Sequence, residues 1–380
     1  MIEGKDILIV STLGLSDLPT RKQRIARHLS ERNRVIYLEP PSTSLGRMLR
    51  PDLPKPGIDT TNHNLIIIRL PDILPFGLKT PIIQQINERI LLHYIGPILS
   101  ELKFVPQILW TYLVDFPGLY EALKPELVVY DCVDDHSSYA GLRSPRFVNW
   151  LEKKVVGMSQ VCFATTEELL EKIKPFQQNS FLVTNGVDAD YFIQHPKTRP
   201  LDLQDMPSPI IGYFGAIQEW FDVELILQTA KANPMLCFVL VGPYTSGIKS
   251  SLNLPNVHLL GRKSYDEAPA YINAFDVCLI PFKKNNLTLN ISPLKFYEYC
   301  ALGKPTVSIP VKQMLPLADF CYLYDSERDF EWMIQTALSE DGNRNQERIQ
   351  LAKDNSWESK FQLMFQKIEE ISKLDIIENS

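Results

Sequence analysis

The sequence predicts an α/β protein built from two doubly wound domains that face a cleft, each a parallel sheet with helices on both faces. Three observations predict it. Short, nearly continuous apolar runs alternate with helical segments, which is the pattern of strands buried on both sides. The alternation stops at a Pro-rich polar stretch, "QHPKTRPLDLQDMPSP" (194–209), and then restarts. The length, 380 residues, exceeds what a single core ordinarily holds and suits two domains.

In the first half the expected order is strand "DILIVST" (6–12), a helix over 20–32, strands "RVIYLEP" and "NLIIIRL", and a long helix over 80–102. Strands "PQILWTY" and "LVVYDCV" follow, then a helix over 147–159, strand "QVCFAT", a helix over 166–174 and strand "SFLVTNG". After the break come "IIGYFGA", a helix over 222–232, "LCFVLVGP", "NVHLLG", a helix over 265–274 and "DVCLIPF". The segment "NISPLKFYEYCALGKPTV" (290–307) then reads as a helix running into a strand. Ser292 suits its N-cap, Pro293 its first position, and Gly303 its left-handed stop. "FCYLY" and helices to the end complete the second half. The break places the domains at 1–193 and 207–355.

Net charge is −6, so no basic excess is available to neutralise nucleic-acid phosphates, and nucleic acid is not an expected partner. The six cysteines stand singly, mostly in strand-like runs. That is the pattern of reduced, buried thiols and of a cytoplasmic chain. No apolar run approaches the roughly 20 residues that span a bilayer.

In doubly wound sheets ligands bind beyond the carboxyl ends of the strands, so candidate residues are sought there. The helix start at Ser292-Pro293-Leu294 offers free N–H groups to an anion, Lys295 adds a charge, and Glu298 one turn later accepts from hydroxyls. "STLGLSDLPTRKQRIARHL" places Gly14 in the loop after the first strand, ahead of a helix carrying Arg21, Arg24 and Arg27. Gly14 alone is no dinucleotide fingerprint, and the basic helix equally suits a solvated face. "YDCVDDHSSYAG" brings Asp131, Asp134, Asp135 and His136 within six residues. The carboxylates and imidazole suit proton shuttling or hydroxyl positioning, but caps and turns are equally ordinary roles for Asp. Trp110 and Asp115, after the preceding strand, read either as neighbours of that cluster in a site or as core aromatic and turn Asp. Gly215 permits close backbone approach, Asp222 suits a cap, and Arg262 and Lys263 precede a helix that Ser264 suits as a cap.

With these positions assembled, the chain resembles the GT-B glycosyltransferases, specifically the large retaining group 1 (family 4-like) set that includes enzymes of teichuronic acid and exopolysaccharide synthesis. "TNGVDADYF", "IIGYFGAIQEWFD", "VHLLGRKSYDEAPAYINAFDVCLIPF" and above all "SPLKFYEYCALGKPTV" carry the likeness, which covers nearly the whole chain. It implies two Rossmann-like domains, an acceptor domain and then a donor domain, with 356–380 as a terminal helix that crosses back to the first. It implies a hexosyltransferase-like enzyme in cell-surface polysaccharide synthesis. The donor would be a UDP- or GDP-linked sugar, the acceptor a saccharide or lipid-linked hydroxyl, and no cofactor or metal would be needed. Glu298 would hold the ribose, Lys295 the diphosphate, Arg262 the region of the base and Gly14 that of phosphate and acceptor. Asp134, Asp135 and His136 would touch the acceptor or donor sugar, and Trp110, Asp115 and Arg21 would lie on the acceptor side.

Two departures stand out. Asn290 lies eight residues before Glu298, where relatives usually carry a second glutamate, and "GAIQEWFD" lacks their usual Arg and Lys. Asn290 keeps a non-catalytic scaffold on the same fold as an alternative, and a nucleotide-sugar epimerase on that fold is carried as another. Arg47, Arg50 and Lys55 among apolar residues suit peripheral contact with the inner membrane face, or an acceptor-side loop.

Overall fold

The computed structural model describes residues 2–16, 20–138, 144–195, 198–285, 288 and 294–378. The chain forms two compact units: Met1–Thr184 with Phe361–Ser380, and Asn185–Lys360.

Unit 1 contains strands β1 (Asp6–Val10), β2 (Arg34–Glu39), β3 (Gly57–Asn62), β4 (Leu65–Arg69), β5 (Ile108–Thr111), β6 (Leu127–Cys132), β7 (Val161–Ala164) and β8 (Ser180–Leu182). They lie in the order β3-β4-β2-β1-β5-β6-β7-β8. All neighbours pair in parallel except β3, which runs antiparallel to β4. The sequence gives no warning of β3, because "GIDTTN" is polar and unpatterned, as an edge strand with one partner is free to be. Its helices include α1 (Arg21–Ser30), α2 (Ser44–Leu49), α3 (Pro81–Glu101), α4 (Pro117–Leu123), α5 (Pro145–Met158) and α6 (Glu167–Ile173). The core joins Leu8, Ile36, Leu109 and Tyr130 of the sheet with Leu91, Ile95 and Val155 of the helices.

Unit 2 opens with α7 (Ala189–Gln194) and has a six-stranded, wholly parallel sheet: β9 (Ile210–Phe214), β10 (Cys237–Val241), β11 (Val257–Gly261), β12 (Val277–Ile280), β13 (Thr306–Ser308) and β14 (Tyr322–Leu323). The order is β11-β10-β9-β12-β13-β14. Helices α8 (Val223–Ala232), α9 (Ser246–Ser251), α10 (Ala268–Ala274), α11 (Leu294–Ala301), α12 (Glu327–Leu338) and α13 (Asn345–Asp354) cover it. Asp222 caps α8 by accepting from Leu225 N at 3.1 Å, and Ser264 forms a capping box with Glu267, as their residue types predict. All six cysteines are buried and unbridged.

The units divide after Thr184, not in the Pro-rich break. Val187, Phe192 and Leu203 sit in the core of unit 2, and Arg199 donates to the carbonyls of Leu203 and Met206, both at 3.0 Å. Pro200, Pro207 and Pro209 stand outside helices and strands in backbone that belongs to unit 2. The last helix, α14 (Trp357–Glu378), starts in unit 2, where Trp357 N donates to Val187 O at 3.1 Å. From Phe361 it belongs to unit 1, where His28 lies 5.3 Å from the Phe361 ring and 5.6 Å from that of Phe365.

Each sheet has a topological switch point, the place where strand order reverses and a crevice opens beyond the carboxyl ends. In unit 1 it lies between β1 and β5, in unit 2 between β9 and β12.

Candidate active site

Three neighbouring strands of unit 2 carry glycines at their carboxyl ends, the first of them beside the switch point. Gly215 follows β9, Gly242 follows β10 and Gly261 ends β11, with φ of +154°, +150° and +73°. Their backbones interlock: Gly215 N donates to Val241 O and Gly242 N to Gly261 O, both at 2.8 Å. A Cβ on Gly242 would stand 1.8 Å from Gly215 O, so only glycine fits there. These loops therefore leave bare backbone at the strand ends.

Across the same switch point, α11 follows β12 after residues that lie outside the description, among them Asn290, Ser292 and Pro293. Leu294 is the helix's first residue. Tyr299, fully buried, fixes α11 to the sheet: its hydroxyl accepts from Phe214 N at 3.2 Å and donates to Leu279 O at 3.4 Å. That anchoring carries Lys295 over Gly215. A Cβ on Gly215 would meet Lys295 Cε at 2.1 Å, and the ammonium lies 5.8 Å from the Tyr213 ring centroid. Burial lowers the pKa of Lys295, and the Glu298 carboxylate opposes that shift. A cation held at bare backbone, with a carboxylate one turn further, is built for an anionic group next to hydroxyls. Arg262 is exposed and makes no ion pair among the described residues, while its neighbour Lys263 is committed to Asp202 at 2.7 Å.

Unit 1 has a cavity of about 750 Å³ at its own switch point. Thr12 and Leu13 after β1, Pro40 and Pro41 after β2, Leu113 and Asp115 after β5, and Asp134 and His136 after β6 contribute to it. The opposite wall is apolar, with Leu45, Leu49, Ile73, Leu74 and Phe76. His136 is buried in a short 3-10 turn, Asp134 is half-exposed, and both reach the cavity. Asp135, between them, does not line it. Its carboxylate accepts from Ser137 N at 3.2 Å, from the Ser137 and Ser138 hydroxyls and from Lys172 at 2.6 Å. Burial alone would raise its pKa, but Lys172, Ser138 and Ser137 hold it well below the ordinary carboxylate value. Asp135 is thus committed to its own turn and to Lys172. Lys172 in turn binds the buried Glu152 at 2.6 Å, and Glu152 accepts from Tyr130 at 2.9 Å.

Two other expectations are corrected. Arg21 is not on the acceptor side: its side chain is 3% exposed, with Nε donating to Asp131 at 2.8 Å and Nη1 to Val183 O at 2.6 Å. Trp110 is fully buried and stacks on Phe163 with centroids 6.0 Å apart, because β5 is central and both its faces are covered. Gly14 lies in the loop after β1, where its carbonyl accepts from Gln23 Nε2 at 2.8 Å. Arg47 is tied to Asp72 at 2.5 Å and to Leu53 O at 3.0 Å. Arg50 and Lys55 remain exposed.

Lys22 lines the cavity and escapes the sequence reading. Its side chain is 8% exposed, its ammonium 3.7 Å from Asp134 Oδ2 and 5.7 Å from the Tyr112 ring centroid. Burial lowers its pKa against the pull of Asp134 and Asp131. The signal was spacing: Lys22, Ile25, Ala26 and Leu29 share one helix face, and the three apolar members are buried. For Gly242 the signal was its place directly after a strand, which Gly215 shares.

Residues 208–321, the larger part of unit 2, match the family model described as Glycosyl transferases group 1. TuaH of Bacillus subtilis (strain 168), provisionally described as a teichuronic acid biosynthesis glycosyltransferase, is 25% identical over 297 residues, covering 71% of this chain and 75% of that protein. The UDP-forming alpha,alpha-trehalose-phosphate synthase of Burkholderia vietnamiensis superposes with a TM-score of 0.69 at 11% identity, over 100% of both chains. Sucrose-phosphate synthase of Thermosynechococcus elongatus gives 0.67 at 13% identity, covering 97% of this chain and 100% of that one. Anabaena Alr3699/HepE, solved in complex with UDP and glucose, gives 0.64 at 13% identity, covering 96% and 99%. At these identities the structures speak to fold alone, and the fold is GT-B.

Proposed function

We propose that this chain, a nucleotide-sugar glycosyltransferase of group 1, moves a sugar from a UDP-linked donor held by unit 2 to a hydroxyl of a saccharide or lipid-linked acceptor held by unit 1, with retention at the anomeric carbon. The observation that carries the reading is Lys295 lying over Gly215 at the switch point of unit 2, inside the segment that matches the family model. The Anabaena relative in complex with UDP and glucose makes UDP the first nucleotide to test.

The chemistry asked of these residues is charge stabilisation. As the glycosidic bond breaks, negative charge gathers on the departing diphosphate, and a fixed cation in a poorly hydrated site stabilises it more than water would. Lys295 supplies that cation, and an arriving diphosphate favours its charged form against the burial that disfavours it. Arg262, exposed after β11, adds a second contact in this reading. Glu298 accepts from the ribose hydroxyls. In unit 1, Asp134 and His136 meet the acceptor, and the strand-end loops fix its position.

The test is isothermal titration of UDP, GDP and ADP, with and without magnesium, followed by product analysis with the selected UDP-sugar. Selective micromolar binding of UDP and acceptor-dependent UDP release support the reading. A donor sugar whose configuration changes without acceptor would identify an epimerase. Absence of binding to all three nucleotides would leave a scaffold without chemistry.

A further inference from the structure

We infer that the cavity of unit 1 takes an amphiphile with a neutral, hydroxyl-bearing head, which Lys22 and Asp134 recognise while Phe76 and Leu49 hold its apolar chain. The inference rests on the transferase reading and names the acceptor class.

The polar end of the cavity is a balanced pair. Lys22 Nζ and Asp134 Oδ2 stand 3.7 Å apart, one side chain 8% and the other 46% exposed. Together they present donors and an acceptor with no net charge, which matches a sugar hydroxyl that both gives and takes a hydrogen bond. An anionic head gains Lys22 but meets Asp134 beside it and Asp115 on the same lining, so like-charge repulsion offsets the attraction.

The other end is apolar and open. Leu49 lines the cavity yet is 72% exposed, and Phe76 does the same at 41%. Phe76 also has a φ of +68°, a conformation a bulky side chain adopts only at a cost. Its ring is left 41% exposed, with the Lys79 ammonium 5.8 Å from its centroid. The surroundings enforce the arrangement: the buried Asn87 accepts from Leu74 N at 2.8 Å and donates to Leu74 O at 3.0 Å. A Cβ on Gly77 would meet Asn87 Nδ2 at 2.6 Å, so glycine is needed beside the strained residue. A rigid loop that presents an aromatic ring at a cavity mouth is accounted for if an apolar chain covers it.

The probe is octyl β-D-glucoside below its micelle concentration, titrated by calorimetry into the full chain, beside glucose and octyl sulfate. The expected result is that octyl glucoside binds more than tenfold tighter than either. Lys22→Met and Phe76→Gly should each weaken it at least tenfold and leave UDP affinity unchanged. Phe76→Gly suits the positive φ, so its unfolding midpoint should stay level or rise, which separates lost contact from lost fold. Glucose binding as tightly as the octyl glycoside would overturn the chain-binding role, and octyl sulfate doing so would overturn the neutral head. If no octyl compound binds while UDP still does, the inference falls and the donor reading stands. If UDP also fails to bind, both fall.

Discussion

The side chain of Lys295 occupies the space that a Cβ on Gly215 would need, with Cε 2.1 Å and Nζ 2.8 Å from that point. Glycine and lysine are thus one device, in which the bare α-carbon is the seat of the cation. Gly215→Ala should displace the ammonium and strain a backbone at φ +154°. The expected outcome is at least a tenfold loss of UDP affinity and a destabilisation of about 1–3 kcal/mol. Titration and thermal unfolding check it, and full affinity in the alanine variant would show that Lys295 does not need this seat.

Lys295 and Glu298 should separate by ligand. Lys295→Gln is expected to weaken UDP by about 1.5–3 kcal/mol, roughly tenfold to a hundredfold, while leaving uridine binding nearly intact. Glu298→Gln should weaken both, since both carry the ribose. Titrations of UDP and uridine against the two variants test this, and equal losses on uridine would reverse the assignment.

Arg21 should matter for folding alone. Arg21→Met leaves the fully buried Asp131 carboxyl without its ion partner, a change that costs about 3–5 kcal/mol. Arg21→Met with Asp131→Leu should recover much of that loss. Denaturant unfolding reads both, and UDP titration of the folded protein should be unchanged in each.

The Asp135–Lys172 pair predicts a pH window. The pKa of Asp135 is depressed from its ordinary 3.8, so its contribution is present above that value and is lost as pH falls through the folded value. Burial lowers the Lys172 pKa, but Asp135 and Glu152 leave it above the ordinary 10.5, so its contribution is full below that value and is lost as pH rises through the folded one. The stability gap between wild type and Asp135→Asn should therefore be level from about pH 5 to 9 and shrink below about pH 4. Urea unfolding across pH checks it, and a gap undiminished at pH 2 would assign the effect to the serine contacts.

Much of this was legible in the sequence because it is local. Strands buried on both faces read as apolar runs, Asp222 and Ser264 read as caps, and Lys295 and Glu298 were picked out by their place one turn apart behind a helix start. What stayed hidden depends on partners far along the chain. Arg21 looked like a member of a solvated basic face, since Asp131, 110 positions away, decides its burial. Trp110 and Asp135 drew attention for their chemistry, yet the central position of β5 and the reach of Lys172 make them core and turn. Lys22 was passed over because charge suggested solvent where helical spacing pointed inward.

The last helix has a consequence for how the chain is made. Arg21 Nη2 lies 3.6 Å from Met364 Sδ, and Phe361, Met364 and Ile368 are buried. These residues leave the ribosome only after the whole of unit 2, though they complete unit 1. Unit 1 therefore waits, with part of its apolar surface uncovered, while 176 further residues, Asn185–Lys360, are translated. A nascent chain halted before Phe361 should therefore be cleaved by protease in unit 1 more readily than in unit 2.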